Sequence, residues 1–547
     1  MRIGFARWRP SIGSVSLSVV TAIYILAIAN HTFWTRAYTY LSSSPSAFVA
    51  FVVGITAAMI ALVTTFSIKY LIKPFLIFFI LAAVSASWFT DQFGIVIDRE
   101  MIRNAAVTTA AESQHLMTSA FIFHILLKGV LPSLLIVWVK VRHRTFMRKA
   151  VWNMAVIAPC LAILVAVGLS FSQTYAAVGR LHRDLMLTLN PIIPVTSAAR
   201  YAFSSEQDKK IVRVPLGLDA KQQAASATGK PRVTIIVAGE TARAQNFSLN
   251  GYERETNPEM KARGVVYYSN ASSCGTSTAV SIPCMFSGYS RADYTHEKGL
   301  ATDNLVDILG HAGVTVDWWD NDTGSYGVAD RIRYRFLPDS ADPRFCHEGE
   351  CKDTILLDRL DEWLSNVKGD SVLVLHQLGS HGPAYYERYP EEFRRFKPDC
   401  RSAEFGKCTP QEVINAYDNT ILFTDHIVGS VIDALKRHED KVSAAMVYLS
   451  DHGESLGENG IYLHGAPYII APSQQTHVPI AVWLSPDFSK AEGINVSCLE
   501  TGATAPVSHD NLFHSVLGLM NVSTKVYKPS LDLTATCKKN AEKVAMQ

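Results

Sequence analysis

The most constraining feature of the chain is a series of five long apolar stretches in its first third. Each is about 20 residues long, the length that an α-helix needs to cross the hydrocarbon core of a bilayer. A single stretch of this kind also fits a buried core helix, but five in succession before residue 175 favour membrane spans. We therefore predict an α-helical membrane domain with five transmembrane helices near Ser14–Ala29, Ala47–Ile68, Leu71–Trp88, Met117–Val139 and Val151–Ser170.

The distribution of Lys and Arg in the short loops predicts how these spans are oriented. Basic residues precede the first span, flank the turn between the second and third, and crowd the loop between the fourth and fifth. Because cytoplasmic loops are enriched in Lys and Arg, the N-terminus is predicted to be cytoplasmic. An odd number of spans then places everything after about residue 173 outside the cytosol. The residues that decide this are Arg2, Arg7, Arg9, Lys69, Lys73, Lys140, Arg142, Arg144, Arg148 and Lys149.

Cysteine usage agrees with this extracytoplasmic location. Of the nine cysteines, Cys160 lies inside a predicted span and the other eight lie beyond residue 270. An even number of cysteines in an exported segment indicates disulfides formed in an oxidising compartment. Spacing alone leaves the connectivity open. Three pairs are close in the sequence, Cys274–Cys284, Cys346–Cys351 and Cys400–Cys408, and Cys498–Cys537 would complete the set.

The overall charge gives no reason to expect a nucleic-acid partner. The formal net charge is only +2, whereas nucleic-acid-binding proteins carry a marked excess of basic residues. The hydrophobic content of 48% is high for a soluble protein, and the excess lies in the predicted spans.

After the membrane domain of residues 1–173, the chain changes to a linker and then to an α/β pattern. Residues 174–230 are the predicted linker, in which Leu181–Leu189 fits an amphipathic helix on the membrane surface. In residues 231–547, short β runs alternate with helical segments such as Leu305–His311 and Glu412–Arg437. This alternation predicts one α/β domain with a largely parallel sheet sandwiched by helices. Its clearest strands are Val233–Val237, Val314–Val316, Val372–Leu375 and Ala444–Leu449.

Carboxylates and an imidazole follow two of these strands directly. Asp451 and His452 come after one strand, and Glu240 comes after another. Asp, Glu and His are ligands of Zn²⁺, and sites of open α/β sheets lie where the strands end. The alternative for Glu240 alone is an acidic residue stabilised at a helix N-terminus.

The segment Ser273–Cys284 is rich in small hydroxyl residues and leads into an apolar, helix-like stretch. Such a segment presents backbone N–H groups to a phosphate. It also offers a hydroxyl that a bound cation can convert into a nucleophile. The alternative, which the local sequence alone favours, is a capped loop held by a disulfide.

Four segments together resemble the lipid A phosphoethanolamine transferases of the alkaline phosphatase and sulfatase superfamily. The resemblance covers nearly the whole chain and includes five spans followed by an outer domain. It implies a bacterial inner-membrane enzyme whose catalytic domain lies in the periplasm. The segments are Ala238–Thr241, Cys274–Cys284, Ser380–Pro383 and Ser450–Glu458.

The resemblance also implies a mechanism and its residues. Thr278 is the expected nucleophile, receiving phosphoethanolamine from phosphatidylethanolamine and passing it to a phosphate of lipid A. His381 and His464 are expected to bind substrate phosphate, transfer protons or hold a second zinc. The modified surface is expected to bind cationic peptides such as polymyxin less well, and the enzyme is expected to be a monomer. The catalytic zinc is expected to be held by Glu240, Thr278, Asp451 and His452.

Two further features bear on the substrates. Asn104, Thr108 and Glu112 are spaced so that one helix would place them on one face, where the resemblance implies contact with the ethanolamine headgroup. The alternative is a solvated helix face. In the segment Trp319–Val328, Tyr326 stands where the family commonly carries Lys, so a cationic phosphate contact is missing or supplied elsewhere.

Three other functions compete with this interpretation. A related membrane phosphotransferase acting on lipopolysaccharide core or moving phosphoglycerol is the nearest. A sulfatase-like hydrolase is disfavoured because Ser281–Met285 lacks the Arg of the Cys/Ser-x-Pro-x-Arg motif. A non-catalytic membrane-anchored module is disfavoured because the proposed ligands and nucleophile are all present.

Overall fold

A computed structural model of the chain describes residues 9–223 and 228–538, without the side chains of residues 111 and 112. Arg2 and Arg7, used above to predict orientation, lie outside the described residues. The described chain divides into two compact units. The first comprises residues 9–102 and 117–202, and the second comprises residues 103–116, 203–223 and 228–538.

Within the described residues, four helices of the first unit are long and apolar enough to cross a membrane. A fifth span results if two helices bent by 71° relative to each other, Ser14–Ile28 and His31–Leu41, are taken as one. The prediction of five spans therefore agrees with the structure, except that the first span is broken. The four long helices are Pro45–Thr65, Ile72–Phe93, Ser119–Trp138 and Phe146–Ser170.

The break in the first span lies at Asn30. The side-chain amide of Asn30 is buried and donates to the carbonyl oxygens of Ile25 and Asn190, each at 3.0 Å. A polar side chain that satisfies its donors in this way competes with helix continuation. The helix Ser14–Ile28 has 15 residues and rises only about 22 Å.

The predicted amphipathic helix Leu181–Leu189 is wrong. One helix ends at Leu181, and only a four-residue turn, Asp184–Leu187, follows within the predicted range. The backbone leaves the helical region at His182, whose ring stacks on that of Tyr40 with centroids 3.8 Å apart. This tertiary contact overrides the local helical pattern. The other helices outside the four spans are Arg99–Val107, Ala110–Leu116, Ser172–Leu181 and Ile192–Asp208.

A seven-stranded sheet forms the centre of the second unit. In chain order its strands are β1 (Arg232–Gly239), β2 (Val266–Tyr268), β3 (Thr315–Asp320), β4 (Arg333–Phe336), β5 (Ser371–His376), β6 (Ser443–Ser450) and β7 (Ile480–Leu484). Their spatial order is β2-β7-β6-β1-β5-β3-β4. The five neighbouring strands β6, β1, β5, β3 and β4 are parallel, and β7 pairs antiparallel with β6 and β2. The predicted, largely parallel sheet is confirmed.

The central strands are apolar because the sheet is covered on both faces. Every residue of β1 and of β6 is buried. Short two-stranded pairings complete the β structure of the described chain: Ser11–Gly13 with Lys140–Arg142, Lys221–Gln222 with Val522–Ser523, Ala271–Ser272 with Val507–Ser508, Cys346–His347 with Glu350–Cys351, and Ser455–Leu456 with Tyr462–Leu463.

The longest helix of the second unit, Pro410–Arg437, begins two residues before its predicted start. Thr409 Oγ1 accepts from the Glu412 N–H at 3.3 Å, and Glu412 Oε2 accepts from the Thr409 N–H at 2.6 Å. This reciprocal capping fixes the helix N-terminus. The other helices are Pro258–Ala262, Thr278–Met285, His296–Ala301, Leu305–His311, Leu360–Ser365, Ser473–Thr476, Pro486–Ala491, Val496–Gly502 and Asp510–Leu519.

All four predicted disulfides are present, and they all lie in the second unit. Among the described cysteines, Cys160 alone is free, and it lies in the helix Phe146–Ser170. The three close pairs and the remaining pair, Cys498–Cys537, are therefore all confirmed.

A buried ion-pair cluster at the start of β1 anchors the strand that leads to the candidate site. Arg232 contacts Asp370 Oδ2 at 2.7 Å and Glu492 Oε1 at 2.6 Å, and the Arg232 side chain is only 3% exposed. Replacing Arg232 by Gln leaves two carboxylates without their cation, which should lower the free energy of unfolding by about 3 kcal/mol. Thermal melting of the purified protein checks this. Arg344→Gln, at an exposed ion pair, is the control, and equal melting temperatures for both variants would contradict the prediction.

Candidate active site

Two adjacent parallel strands bring polar residues from distant parts of the chain together. Glu240 follows Gly239 at the end of β1, and Asp451 and His452 follow Ser450 at the end of β6. Gly239 and Ser450 are paired across the two strands, and the Asp451 N–H donates to the Gly239 carbonyl at 2.9 Å. The predicted strand-end residues therefore share one edge of the sheet.

The four residues predicted to hold zinc lie within contact distance of one another. Thr278 Oγ1 lies 3.1 Å from Glu240 Oε2 and 3.4 Å from His452 Nε2. His452 Nε2 lies 3.5 Å from Glu240 Oε1 and 3.2 Å from Asp451 Oδ2. All four side chains are at most 3% exposed. Three of them, Glu240, Asp451 and His452, form a donor group close enough to share one metal ion.

Backbone hydrogen bonds hold these donors in place. His452 Nδ1 lies 3.0 Å from the Gly453 carbonyl oxygen and donates to it, which leaves the Nε2 lone pair facing the cluster. Asp451 Oδ1 accepts from the N–H groups of Thr241 at 3.1 Å and of His452 at 2.7 Å, so Asp451 Oδ2 is the oxygen left for a ligand. Such outer contacts orient metal ligands and fix the tautomer of a ligating imidazole.

A glycine lets the chain after β5 approach Glu240. Gly379 has a φ of +52°, and a Cβ atom there would lie 2.6 Å from the Glu240 carbonyl oxygen. The next residue, Ser380, donates its N–H to that same oxygen at 3.0 Å. Any side chain in place of Gly379 would therefore displace the backbone that carries Glu240.

Thr278 is the first residue of the helix Thr278–Met285, and the disulfide Cys274–Cys284 closes the loop before it. Among the neighbouring hydroxyls, Thr276 Oγ1 donates to the Ala466 carbonyl at 2.7 Å. The Thr278 hydroxyl instead points at the carboxylate and imidazole of the cluster. The geometry therefore separates Thr278 from Thr276 as the candidate nucleophile, a choice that the local sequence left open.

Burial and like charge set the electrostatics of the cluster. Burial, with the nearby carboxylates of Asp451 and Asp322, holds the pKa of Glu240 well above its usual value. Burial also raises the pKa of Asp451. Burial, with His464 nearby, holds the pKa of His452 well below its usual value, so the imidazole is neutral. A neutral imidazole beside crowded carboxylates is the arrangement that a bound cation stabilises.

His381 and His464 lie beside this cluster. Their ring centroids are 5.3 Å apart, and the centroid of His464 lies 4.4 Å from that of His452. His464 Nδ1 lies 2.9 Å from Glu454 Oε2, and the Arg388 guanidinium donates to the His381 carbonyl at 2.8 Å. Burial and the adjacent His464 hold the pKa of His381 well below its usual value. The structure thus brings both histidines to the predicted site.

The sequence analysis missed two polar residues of the same sheet edge. Asp322 lies just beyond β3, and His376 is the last residue of β5. With Glu240 they form a second group of donors close enough to share a metal ion. His376 directly follows the predicted strand Val372–Leu375, which lies next to β1, and this was the available signal. Asp322 lies six residues beyond the predicted strand Val314–Val316, which belongs to β3, the strand next to β5.

Comparisons with known proteins show the family to which the chain belongs. The sulfatase family model matches residues 232–522, and a model of the phosphoethanolamine transferases EptA and EptB matches residues 55–205. The chain is 39% identical over 541 residues to phosphoethanolamine transferase EptA of Escherichia coli K12, covering 98% of this chain and 99% of that protein. The chain belongs to the phosphoethanolamine transferases.

Other relatives show the same match. Phosphatidylethanolamine transferase Mcr-1 of Escherichia coli is 36% identical over 534 residues, covering 95% of this transferase and 97% of Mcr-1. The solved structure of the integral membrane protein EptA from Neisseria meningitidis has a TM-score of 0.93 and 35% identity, covering 97% of this chain and 100% of that one. This transferase is thus an inner-membrane protein with a periplasmic domain of the alkaline phosphatase and sulfatase superfamily.

The predicted headgroup residues do not share one helix. Asn104 lies in the helix Arg99–Val107, which ends before Thr108, and Glu112 lies in the next helix, Ala110–Leu116. The hydroxyl of Thr108 donates to the Asn104 carbonyl at 2.9 Å, a local bond that competes with helix continuation. The single-helix prediction is therefore wrong. The side chain of Glu112 lies outside the described residues.

Tyr326 does not replace the cationic contact that the family commonly makes with Lys. Its backbone has a φ of +52°, and its hydroxyl is hydrogen-bonded to that of Thr323. Its ring packs against the core of the second unit. The position therefore contributes a neutral, partly buried side chain to this transferase.

Proposed function

We propose that this transferase moves phosphoethanolamine from phosphatidylethanolamine to a phosphate of lipid A through an ester on Thr278. The observation that carries the proposal is the placement of the Thr278 hydroxyl at 3.1 Å from Glu240 and 3.4 Å from His452. A hydroxyl needs an adjacent activating group to act as a nucleophile. The names of the relatives, phosphoethanolamine transferase and Kdo(2)-lipid A phosphoethanolamine 7''-transferase, support the substrates.

The residues fit a catalytic zinc ion. Glu240, Asp451 and His452 supply two carboxylate oxygens and one imidazole nitrogen, and Thr278 supplies the fourth donor. Oxygen and nitrogen donors of this kind suit Zn²⁺. When bound, the ion would lower the pKa of the Thr278 hydroxyl and offset negative charge on the transferring phosphoryl group.

In the first step, Thr278 Oγ1 attacks the phosphorus of phosphatidylethanolamine. A Thr278–phosphorus ester bond forms, the bond to the diacylglycerol oxygen breaks, and that oxygen takes up a proton. Glu240 and His452 orient the hydroxyl for attack. His381 and His464 are the neighbouring groups that take up the proton of the attacking Thr278 hydroxyl and pass it to the leaving oxygen.

In the second step, a phosphate oxygen of lipid A attacks the same phosphorus. The ester bond to Thr278 breaks, and Thr278 Oγ1 takes up a proton that the attacking phosphate or water supplies through the same two histidines. The product carries an ammonium group where an exposed phosphate oxygen was free. Cationic peptides such as polymyxin should therefore bind the modified surface less strongly. Asn104, Thr108 and Glu112 would contact the ethanolamine headgroup, and the enzyme would act as a monomer.

The test is expression in cells whose lipid A is unmodified and whose phosphatidylethanolamine carries a labelled headgroup. Mass spectrometry of the extracted lipid A should show labelled phosphoethanolamine on a lipid A phosphate. Label on core sugars, or a phosphoglycerol adduct, would replace this proposal with the related phosphotransferase. Unmodified lipid A in cells that accumulate the folded enzyme would refute it.

Metal removal gives a second prediction. A chelator should abolish transfer in the purified full-length enzyme and lower its melting temperature, because it leaves the buried carboxylates without a counter-ion. Zinc added back should restore both properties. If the enzyme keeps full activity after its metal content has fallen to zero, the catalytic-zinc assignment is wrong.

A further inference from the structure

A second group of buried donors lies at the ends of β1, β3 and β5, and only its Glu240 also takes part in the proposed transfer reaction. It consists of His376, Asp322 and one oxygen of Glu240, and its ligand atoms all lie within 4.8 Å of one another. His376 is fully buried, Glu240 is 1% exposed and Asp322 is 3% exposed. These residues are therefore a part of the interior, where an unpaired polar atom is costly.

The imidazole of His376 is oriented as a metal-binding histidine is. Its Nδ1 lies 2.9 Å from Asp320 Oδ2, which also accepts from Trp318 Nε1 at 2.8 Å. Asp320 Oδ1 accepts from the N–H groups of Asp322 at 3.0 Å and Gly324 at 3.1 Å. A carboxylate that holds one ring nitrogen and leaves the other free is the usual support of a histidine ligand.

The atoms that face the centre of the group lack hydrogen-bond partners. His376 Nε2 and Asp322 Oδ1 are both buried and have no partner within hydrogen-bond distance. His376 Nε2 lies 3.7 Å from Asp322 Oδ2, beyond a direct hydrogen bond. This distance is that of an ion pair, and the gap, which is lined by two carboxylates and an imidazole, also suits a cation bound between them.

The number of buried carboxylates around Glu240 also favours a second cation. Glu240, Asp322 and Asp451 are buried neighbours, and Asp320 is hydrogen-bonded to His376. One divalent ion at the catalytic site offsets two of these three carboxylates, and the only positive partner that Asp322 has among the described residues is the His376 imidazole, 3.7 Å away, if that imidazole is protonated. Buried charges are retained in proteins when they are paired or coordinate a metal.

We propose that Glu240, Asp322 and His376 form a second divalent-cation site that shares Glu240 with the catalytic site. Magnesium and calcium favour sites whose donors are all oxygens, so the imidazole makes them poor occupants of this site. A donor set of two carboxylates and one imidazole suits zinc or manganese better. The site differs from any that His381 and His464 form, because neither histidine belongs to this group. A bound ion there would help to hold Glu240, which also contacts the Thr278 hydroxyl.

The test is elemental analysis of the purified full-length protein in detergent, with zinc, manganese, magnesium and iron measured together. Asp322→Asn and His376→Gln should each lose about one metal equivalent per chain relative to the unmodified protein. The matched control is His514→Gln, because His514 is equally buried but only accepts the Lys528 N–H at 3.1 Å. It should keep the full metal content.

The result that overturns the proposal is a full metal content in both Asp322→Asn and His376→Gln, which would make the group a metal-free ion pair. If either variant fails to fold, anomalous diffraction from the unmodified protein decides instead. A metal peak about 2 Å from His376 Nε2 supports the site, and no peak there refutes it. Neither measurement depends on activity, so the outcome is independent of the transfer mechanism.

Discussion

Thr278→Ala is expected to abolish phosphoethanolamine transfer, with a loss on the order of a thousandfold or more. The variant removes the only atom of the enzyme that the mechanism bonds to phosphorus, while Glu240, Asp451 and His452 keep their positions. Mass spectrometry of the enzyme incubated with labelled phosphatidylethanolamine should find no adduct on the Cys274–Cys284 peptide. Lipid A from cells expressing the variant should be unmodified.

The matched control is Ser281→Ala, which removes a hydroxyl from the same helix, buried like that of Thr278 but outside the donor group. It should keep both the adduct and the transfer activity. Thr278→Ser retains a hydroxyl and should keep part of the activity. An adduct that persists on another residue of the Thr278→Ala enzyme would show that the nucleophile has been misassigned.

Asp451→Asn is expected to reduce transfer by at least a factor of about a hundred and to release the catalytic metal. The amide keeps an oxygen at Oδ1, which accepts the N–H groups of Thr241 and His452. Only Oδ2, the oxygen that lies beside His452 Nε2, changes. The substitution replaces this oxygen with an amide NH₂, which cannot bind a cation. Metal analysis and lipid A mass spectrometry measure the two effects on the same protein.

Asp425→Asn provides the comparison for this variant. Asp425 is also a buried carboxylate that accepts two backbone N–H groups, those of Glu259 and Met260, but it lies outside both donor groups. It should lower stability without changing the metal content. If Asp451→Asn keeps the metal content of the unmodified protein, Asp451 is not a ligand.

The parts of the fold that the sequence predicted are those with a strong periodic signal. The strands β1, β5 and β6 are continuous apolar runs, and their predicted ranges lie inside the observed ones. The broken first span and the Leu181–Leu189 segment depart from prediction because long-range contacts decide them. Asn30 bonds to Asn190, and His182 stacks on Tyr40. Local patterns carry no information about such partners.

In the candidate site, too, the residues that follow strong apolar strands were the ones that could be predicted from the sequence. Glu240, Asp451 and His452 follow strands directly, so the parallel sheet brings them together. Thr278 needed the resemblance to known transferases, because the local sequence offered three hydroxyls. His376 and Asp322 were missed because a polar residue at the end of an apolar strand is common, and only the structure shows that the donors face Glu240.

The parallel pairing of β1 with β6 has a consequence for biogenesis. Glu240 leaves the translocation channel long before Asp451, since more than 200 residues separate them in the sequence. Contacts so distant along the chain form late in folding. The donor group of Glu240, Asp451 and His452 therefore cannot assemble until both strands have left the channel, and a metal ion could bind there only late in export.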